Sequence, residues 1–231
     1  MSTLDGAWLS DEVGSRSLWA FQGVGETDGA AYGHRSVDDR VLAGWAVPSD
    51  ALGAEAVLGP VDAQRATTLA PERRRAFLAG RALLGRLLGE LVPGSAAGTV
   101  DSAAGEPSTE LRGPVAVRGV PALASISHTD GLVVAAVAAT ARAVRLGLDV
   151  EADRPDAAST RRWTEVQAVL KAAGHGRRVN PAQVAFGPGT ARIEGTSSTY
   201  RVVHVDGPQG FLISLAWQPA PAKPGAGWNR R

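Results

Sequence analysis

The sequence predicts an α+β protein built as two similar lobes. Three observations carry that expectation. At 231 residues the chain is long enough for one large domain or two small halves sharing a core. Each half holds one strongly periodic helical segment together with strand-like runs. A Gly/Ser/Pro/Ala stretch, "VPGSAAGTVDSAAGEPSTELRGP" at 92–114, lies between them as a connection. The expected organisation is an N-terminal extension over 1–33, an N-terminal lobe over 34–114, a C-terminal lobe over 115–218 and a flexible tail over 219–231.

The extension is rich in Gly, Ser, Asp and Glu, with scattered Trp8, Trp19 and Phe21 and no steady period, and reads as partly mobile. "VLAGWAVP" (41–48) predicts a strand ended by Pro48. "APERRRAFLAGRALLGRLLGEL" (70–91) predicts a helix. Pro71 suits its first position, and Phe77, Gly80, Leu84, Leu87, Leu88 and Leu91 recur at helical spacing. Beyond Pro121, "LASISH", "LVVAAVAA" and "AVRLGLDVE" read as strands. "RRWTEVQAVLKAAG" returns to helical spacing through Trp163, Val166, Leu170 and Ala173, with Gly174 as its stop. "QVAFGPGTARIEG", "STYRVVHVDG" and "GFLISLAW" follow as three strands, and the tail "QPAPAKPGAGWNRR" reads as loose.

Composition narrows the function classes. Net charge is +1, which gives nucleic acid or an anionic membrane surface no electrostatic handle. No run approaches the roughly 18–20 apolar residues of a membrane span, and the acidic start "MSTLDGAWLSDEVG" does not resemble a signal peptide. The absence of cysteine excludes disulfides and thiolate catalysis and fits a reducing compartment. A cytoplasmic protein without nucleic-acid or membrane partners is expected. Of the 24 basic residues only Lys171 and Lys223 are lysine, so a lysine within a well-patterned helix stands out.

Asp149 and Glu151 lie two apart in a strand, so their side chains leave one face. Carboxylates that converge this closely repel unless something positive lies between them. A hard cation such as Mg²⁺, held by one or two carboxylates plus substrate phosphate, is one answer; two solvated acids at a strand end are the other. His128, between Ser127 and Thr129 at a strand end, can hold a phosphate oxygen, move a proton or serve structure. Arg81 and the run Arg73, Arg74 and Arg75 offer either a solvated basic face or an anion site. Gln167 and Lys171 are four apart and share a helix face. Lys171 can meet a phosphate. Gln167 can reach a metal only through a neutral carbonyl oxygen, or can close a capping box with Thr164 as N-cap.

In order, "AGR", G-x-P, "SISHT", "GLDVE" and "WTEVQAVLKAAGHG" resemble the 4'-phosphopantetheinyl transferase superfamily in its larger two-lobed form, over residues 65 to 217. The resemblance implies two pseudo-symmetric lobes, each a helix packed on a small antiparallel sheet, with coenzyme A at their junction. It implies transfer of the phosphopantetheine arm to a carrier-protein serine. By position, Asp149 and Glu151 match the Mg²⁺ pair, and Arg81, Ser127, His128 and Lys171 match contacts to the CoA phosphates. Such chemistry is mostly positioning and charge stabilisation.

Two departures bear on the reaction. Where the family helix carries a Lys-Glu pair, this chain has Val166-Gln167. A glutamine cannot accept a proton, and the second cation is gone. Only "ADRPDAASTRR" (152–162) separates Glu151 from Trp163, a segment that reads as too short and loop-like to form the family's carrier-docking surface. The expected function is therefore a transferase-like enzyme diverted to acid/base work by His128, Asp149, Glu151 and Gln167. Cyclisation or isomerisation of a small-molecule intermediate in a bacterial natural-product pathway fits such a site. A Mg²⁺-dependent transferase with a rebuilt site and a non-catalytic CoA-binding pseudoenzyme are the alternatives.

Overall fold

The computed structural model describes residues 25–27, 30–93, 100–102, 115–117, 119–174 and 179–221. The N-terminal 1–24, most of the 92–114 connection, residues 175–178 with His175, and the tail with Lys223 lie outside the described residues. The chain runs β1 (Gly25–Thr27), β2 (Ala30–Asp38), β3 (Val41–Ala46), α1 (Asp50–Ala54), α2 (Pro60–Thr68), α3 (Pro71–Leu91), β4 (Val100–Ser102), β5 (Val115–Val117), β6 (Ala122–Thr129), β7 (Leu132–Ala139), β8 (Ala143–Ala152), α4 (Ala157–Ala172), β9 (Val184–Gly187), β10 (Thr190–Ile193), β11 (Thr199–Val205) and β12 (Phe211–Pro219).

Two antiparallel sheets form, in the orders β1-β2-β3-β7-β6-β5-β4 and β8-β12-β11-β10-β9. Leu83, Leu84, Leu87 and Leu88 of α3 pack with Val133, Ala135, Val137 and Ala124 on one face of the first sheet. The other face, through Val41, Ala43, Leu132, Val134 and Ala136, meets Leu146, Leu148, Val150, Ile213 and Leu215 of the second sheet. Val166, Val169 and Leu170 of α4 cover the far side of the second sheet through Val202, Ala216 and Ile193. The layers run helix, sheet, sheet, helix, so the α+β class and the two helix-on-sheet lobes expected from the sequence are observed.

The division of strands differs from the expected lobe boundary at residue 115. All eight residues of β7 are buried. A run apolar on both faces belongs to a strand covered on both sides, here by α3 and by the second sheet, and β7 pairs with β3 along one edge and β6 along the other. This draws 115–139 into the first sheet, and the chain changes sheet only between Ala139 and Ala143.

In the C-terminal half, "QVAFGPGTARIEG" is a hairpin of two short strands, β9 and β10, rather than one strand. The helix α4 begins at Ala157, and Asp156 caps it through its carboxylate, which accepts from the Ser159 amide at 3.2 Å. The segment read as loop therefore supplies the first turn and a half of the helix. Thr164 is not its N-cap, and the Thr164–Gln167 capping box does not form. The stop does hold: Gly174 adopts φ +74° just past the helix.

One glycine decides how closely α4 approaches the sheet. A Cβ at Gly147 of β8 would overlap the Ala168 carbonyl oxygen and the Ala172 amide nitrogen, both backbone atoms of α4. Gly147→Ala should displace the helix and lower stability by about 3 kcal/mol or more, read by chemical denaturation; full retention would show that α4 can shift freely. The cap makes an acid prediction. The Ser159 hydroxyl and amide hold the Asp156 carboxyl below the usual carboxylate range. Stability from this cap is present above the unfolded carboxyl value and is lost as pH falls through the lower folded value. Fraying of the 157–160 amides on acidification, measured by hydrogen exchange, should be absent in Asp156→Ala, which is frayed at all pH values.

Candidate functional site

The two sheets meet along β6 and β8, and the conspicuous polar groups of the sequence gather there. The strand β8 is an edge of the second sheet, so part of its backbone has no ladder partner. At Leu148 two side chains take that role. The amide donates to Ser125 Oγ at 3.0 Å, and the carbonyl accepts from Lys171 Nζ at 3.0 Å. Ser125 and Ser127 lie on the same face of β6 by the two-residue pleat and are both buried. Period two also explains why "SISHT" alternates: Ala124 and Ile126 turn toward α3 while the serines turn toward β8.

Lys171 does more than cap a carbonyl. Its ammonium donates to Asp149 Oδ1 at 2.5 Å and to Ser127 Oγ at 2.8 Å, and Ser127 donates to the same carboxylate oxygen at 3.0 Å. Side chains from β6, β8 and α4 thus converge on one oxygen. The Asp149 and Lys171 side chains are 8% and 17% exposed, so the pair is shielded from solvent and the three contacts define its geometry. The positive group beside Asp149 is a lysine of this chain, and it does not bond Glu151.

Glu151 is half-buried at the outer end of β8. Its Oε1 accepts from the indole Nε1 of Trp163 at 3.2 Å. Trp163 is 46% exposed, contrary to its expected place on the apolar stripe of the helix. Trp163, Gln167 and Lys171 instead form one i, i+4, i+8 row, and its two ends bind the acids of β8. Gln167 sits buried in the middle of the row.

The other expected residues lie apart from this cluster. Arg81 is buried in an ion pair with Asp62, Nε to Oδ2 at 2.5 Å, and stacks over the Phe77 ring at 4.6 Å. Asp62 is itself fully buried on α2, so the pair fastens α2 to α3. Arg75 pairs with Asp50 at 3.0 Å. His128 is exposed at the end of β6 and follows Ser127, so the pleat sends it from the opposite face, toward the α3 side.

A second polar group escaped the sequence reading. Thr164 Oγ1 lies 2.7 Å from Ser214 Oγ, which lies 3.3 Å from His204 Nδ1, and His204 Nε2 lies 2.9 Å from Glu165 Oε1. The order serine, histidine, carboxylate resembles a nucleophile relay, but Ser214 and Thr164 are fully buried and no substrate reaches them. The group joins α4 to β11 and β12. Its sequence signal was available: Ser214 interrupts the apolar "FLISLAW", and Ser214 and His204 are cross-strand partners.

The residues present do not fit a Mg²⁺ centre of the transferase kind. Asp149 Oδ1 is occupied by Lys171 and Ser127, and Asp149 Oδ2 is enclosed within the protein without a hydrogen-bond partner. Gln167 supplies no charge, which leaves Glu151 as the single open carboxylate. No group of three metal-ligating side chains occurs among the described residues. No helix among them is long and apolar enough to cross a membrane. No protein-family model matches the chain, and no curated protein does.

The buried pair makes a stability prediction with an internal control. Lys171→Ala should destabilise by roughly 3 kcal/mol, because Asp149 is left charged and enclosed. Asp149→Asn combined with Lys171→Met should recover much of that loss in urea denaturation. Equal losses in the single and double variants would show that the pairing does not carry the effect.

Proposed function

We propose that this protein is a diverged 4'-phosphopantetheinyl-transferase-like enzyme that does not transfer phosphopantetheine and instead performs acid–base chemistry on a small molecule. One observation carries the reading: Lys171, the cation the resemblance assigns to a CoA phosphate, is bonded to Asp149, the carboxylate the resemblance assigns to Mg²⁺. A single contact thereby consumes both a phosphate-binding charge and a metal ligand. Arg81, the other cation so assigned, is paired with Asp62. Binding CoA in the family manner would mean breaking two buried ion pairs, each costly to separate.

What remains suits proton transfer. Glu151 is the reachable carboxylate, oriented by the Trp163 N–H, and Asp149 with Lys171 and Ser127 forms a rigid floor beside it. In this reading Glu151 takes or gives the proton and Asp149 is a positioning residue. His128, on the far side of the β6 strand end, is a second proton carrier for a substrate that reaches across that end. Cyclisation or isomerisation of a reactive intermediate, as in a bacterial natural-product pathway, needs little beyond such groups in a shaped cleft.

Intact-mass analysis of an apo carrier protein incubated with this protein, CoA and Mg²⁺ tests the proposal. No phosphopantetheine addition is expected from the unaltered chain, nor from Val166→Lys/Gln167→Glu while Lys171 still holds Asp149. Addition by the unaltered chain at an ordinary turnover rate would overturn the reading in favour of a transferase with a rebuilt site. Tight CoA binding without turnover would overturn it in favour of a CoA-binding pseudoenzyme.

A further inference from the structure

The two acids of the site differ in what surrounds them. Lys171 neutralises Asp149. Glu151 forms no ion pair among the described residues, and the single donor that reaches it is the neutral indole N–H of Trp163. A carboxylate offers about four acceptor positions, so Glu151 can take further donors from a ligand. Of the two arginines of α4 beside Trp163, Arg162 bonds Glu165 at 3.3 Å and stacks over Phe186, and Arg161 is exposed and makes no ion pair with Glu151.

Trp163 is the second half of the observation. The helix α4 buries Val166, Ala168, Val169 and Leu170, yet leaves its largest apolar side chain 46% exposed. The indole edge is pinned to Glu151, so the ring is held in a fixed attitude with much of its surface open beside a carboxylate that carries an uncompensated charge. A single exposed aromatic side chain is ordinary by itself; here the open indole is bonded to a carboxylate, so an apolar face and a negative charge are presented side by side.

We propose that Glu151 and Trp163 form the recognition site for a cationic, amine-bearing small molecule. The inference rests on the acid–base reading of the same site and names its substrate class. Both groups favour an ammonium, the carboxylate through its charge and the indole through the negative face of its ring. Neither favours an anion. A neutral apolar ligand would desolvate Glu151 without returning a partner.

Benzylamine, protonated at neutral pH, is the probe, with benzyl alcohol and benzoate as neutral and anionic controls. The Trp163 indole N–H resonance, assigned by its loss in Trp163→Phe, should shift saturably with benzylamine and hardly with either control. In Glu151→Gln the benzylamine affinity should fall on the order of tenfold or more, with the fold verified by unchanged urea denaturation. Trp163→Phe should weaken it as well, followed on backbone amides of β8. No saturable shift at millimolar benzylamine, equal shifts with benzyl alcohol, or preference for benzoate would each overturn the inference. Phosphopantetheine transfer together with benzylamine binding would remove the acid–base reading alone. Absence of both would remove the amine inference alone.

Discussion

The free edge of β8 is the constraint around which the molecule is arranged. A strand at the margin of a sheet exposes amides and carbonyls, and when that margin is buried against another layer they must find partners. Leu148 finds them in Ser125 and Lys171, which belong to different elements on either side of it. The first sheet, the second sheet and α4 are fastened at one residue. The register of β6 against β8 follows, because a one-residue slip of β6 would carry Ser125 and Ser127 to the α3 side and leave Leu148 without its acceptor.

The same fastening sets how charge is distributed along the strand. An ammonium that caps a carbonyl cannot be far from the next residue of the strand, and that residue is Asp149. Structural need and charge compensation therefore fall on one lysine, and the acid that remains open is Glu151, one pleat further out. The site is asymmetric for this reason: one carboxylate is enclosed, neutralised and rigid, and its neighbour is accessible and held by an indole N–H. In the proposed acid–base reading, asymmetry of this kind would separate positioning from proton exchange within three residues of chain.

Much of this was legible in the sequence, and what was not has identifiable causes. The helix α3 announced itself through Pro71 and a leucine stripe, β7 through eight apolar residues in succession, and the shared face of Asp149 and Glu151 through strand periodicity. The start of α4 was hidden because its first turn, Ala157 to Thr160, is small and polar and carries no apolar period. Helices α1 and α2 are short and mostly exposed, so neither has a pattern to read. The role of Trp163 depends on where Glu151 lies across the helix–strand interface. The pairing of Lys171 with Asp149 depends on three elements meeting, and no local pattern encodes that distance.

Among the described residues Lys171 is the sole lysine, and its ammonium makes three hydrogen bonds at 17% exposure. A nucleophilic amine must leave such acceptors, lose a proton and become reachable before it attacks an electrophile. Acylating reagents will therefore discriminate between the closed seam and an opened one, and the acylation rate at Lys171 becomes a clock for opening of the seam between α4, β8 and β6. A protein whose cations are otherwise almost all guanidinium carries, at the point where its layers join, a single chemically addressable reporter of whether they are joined.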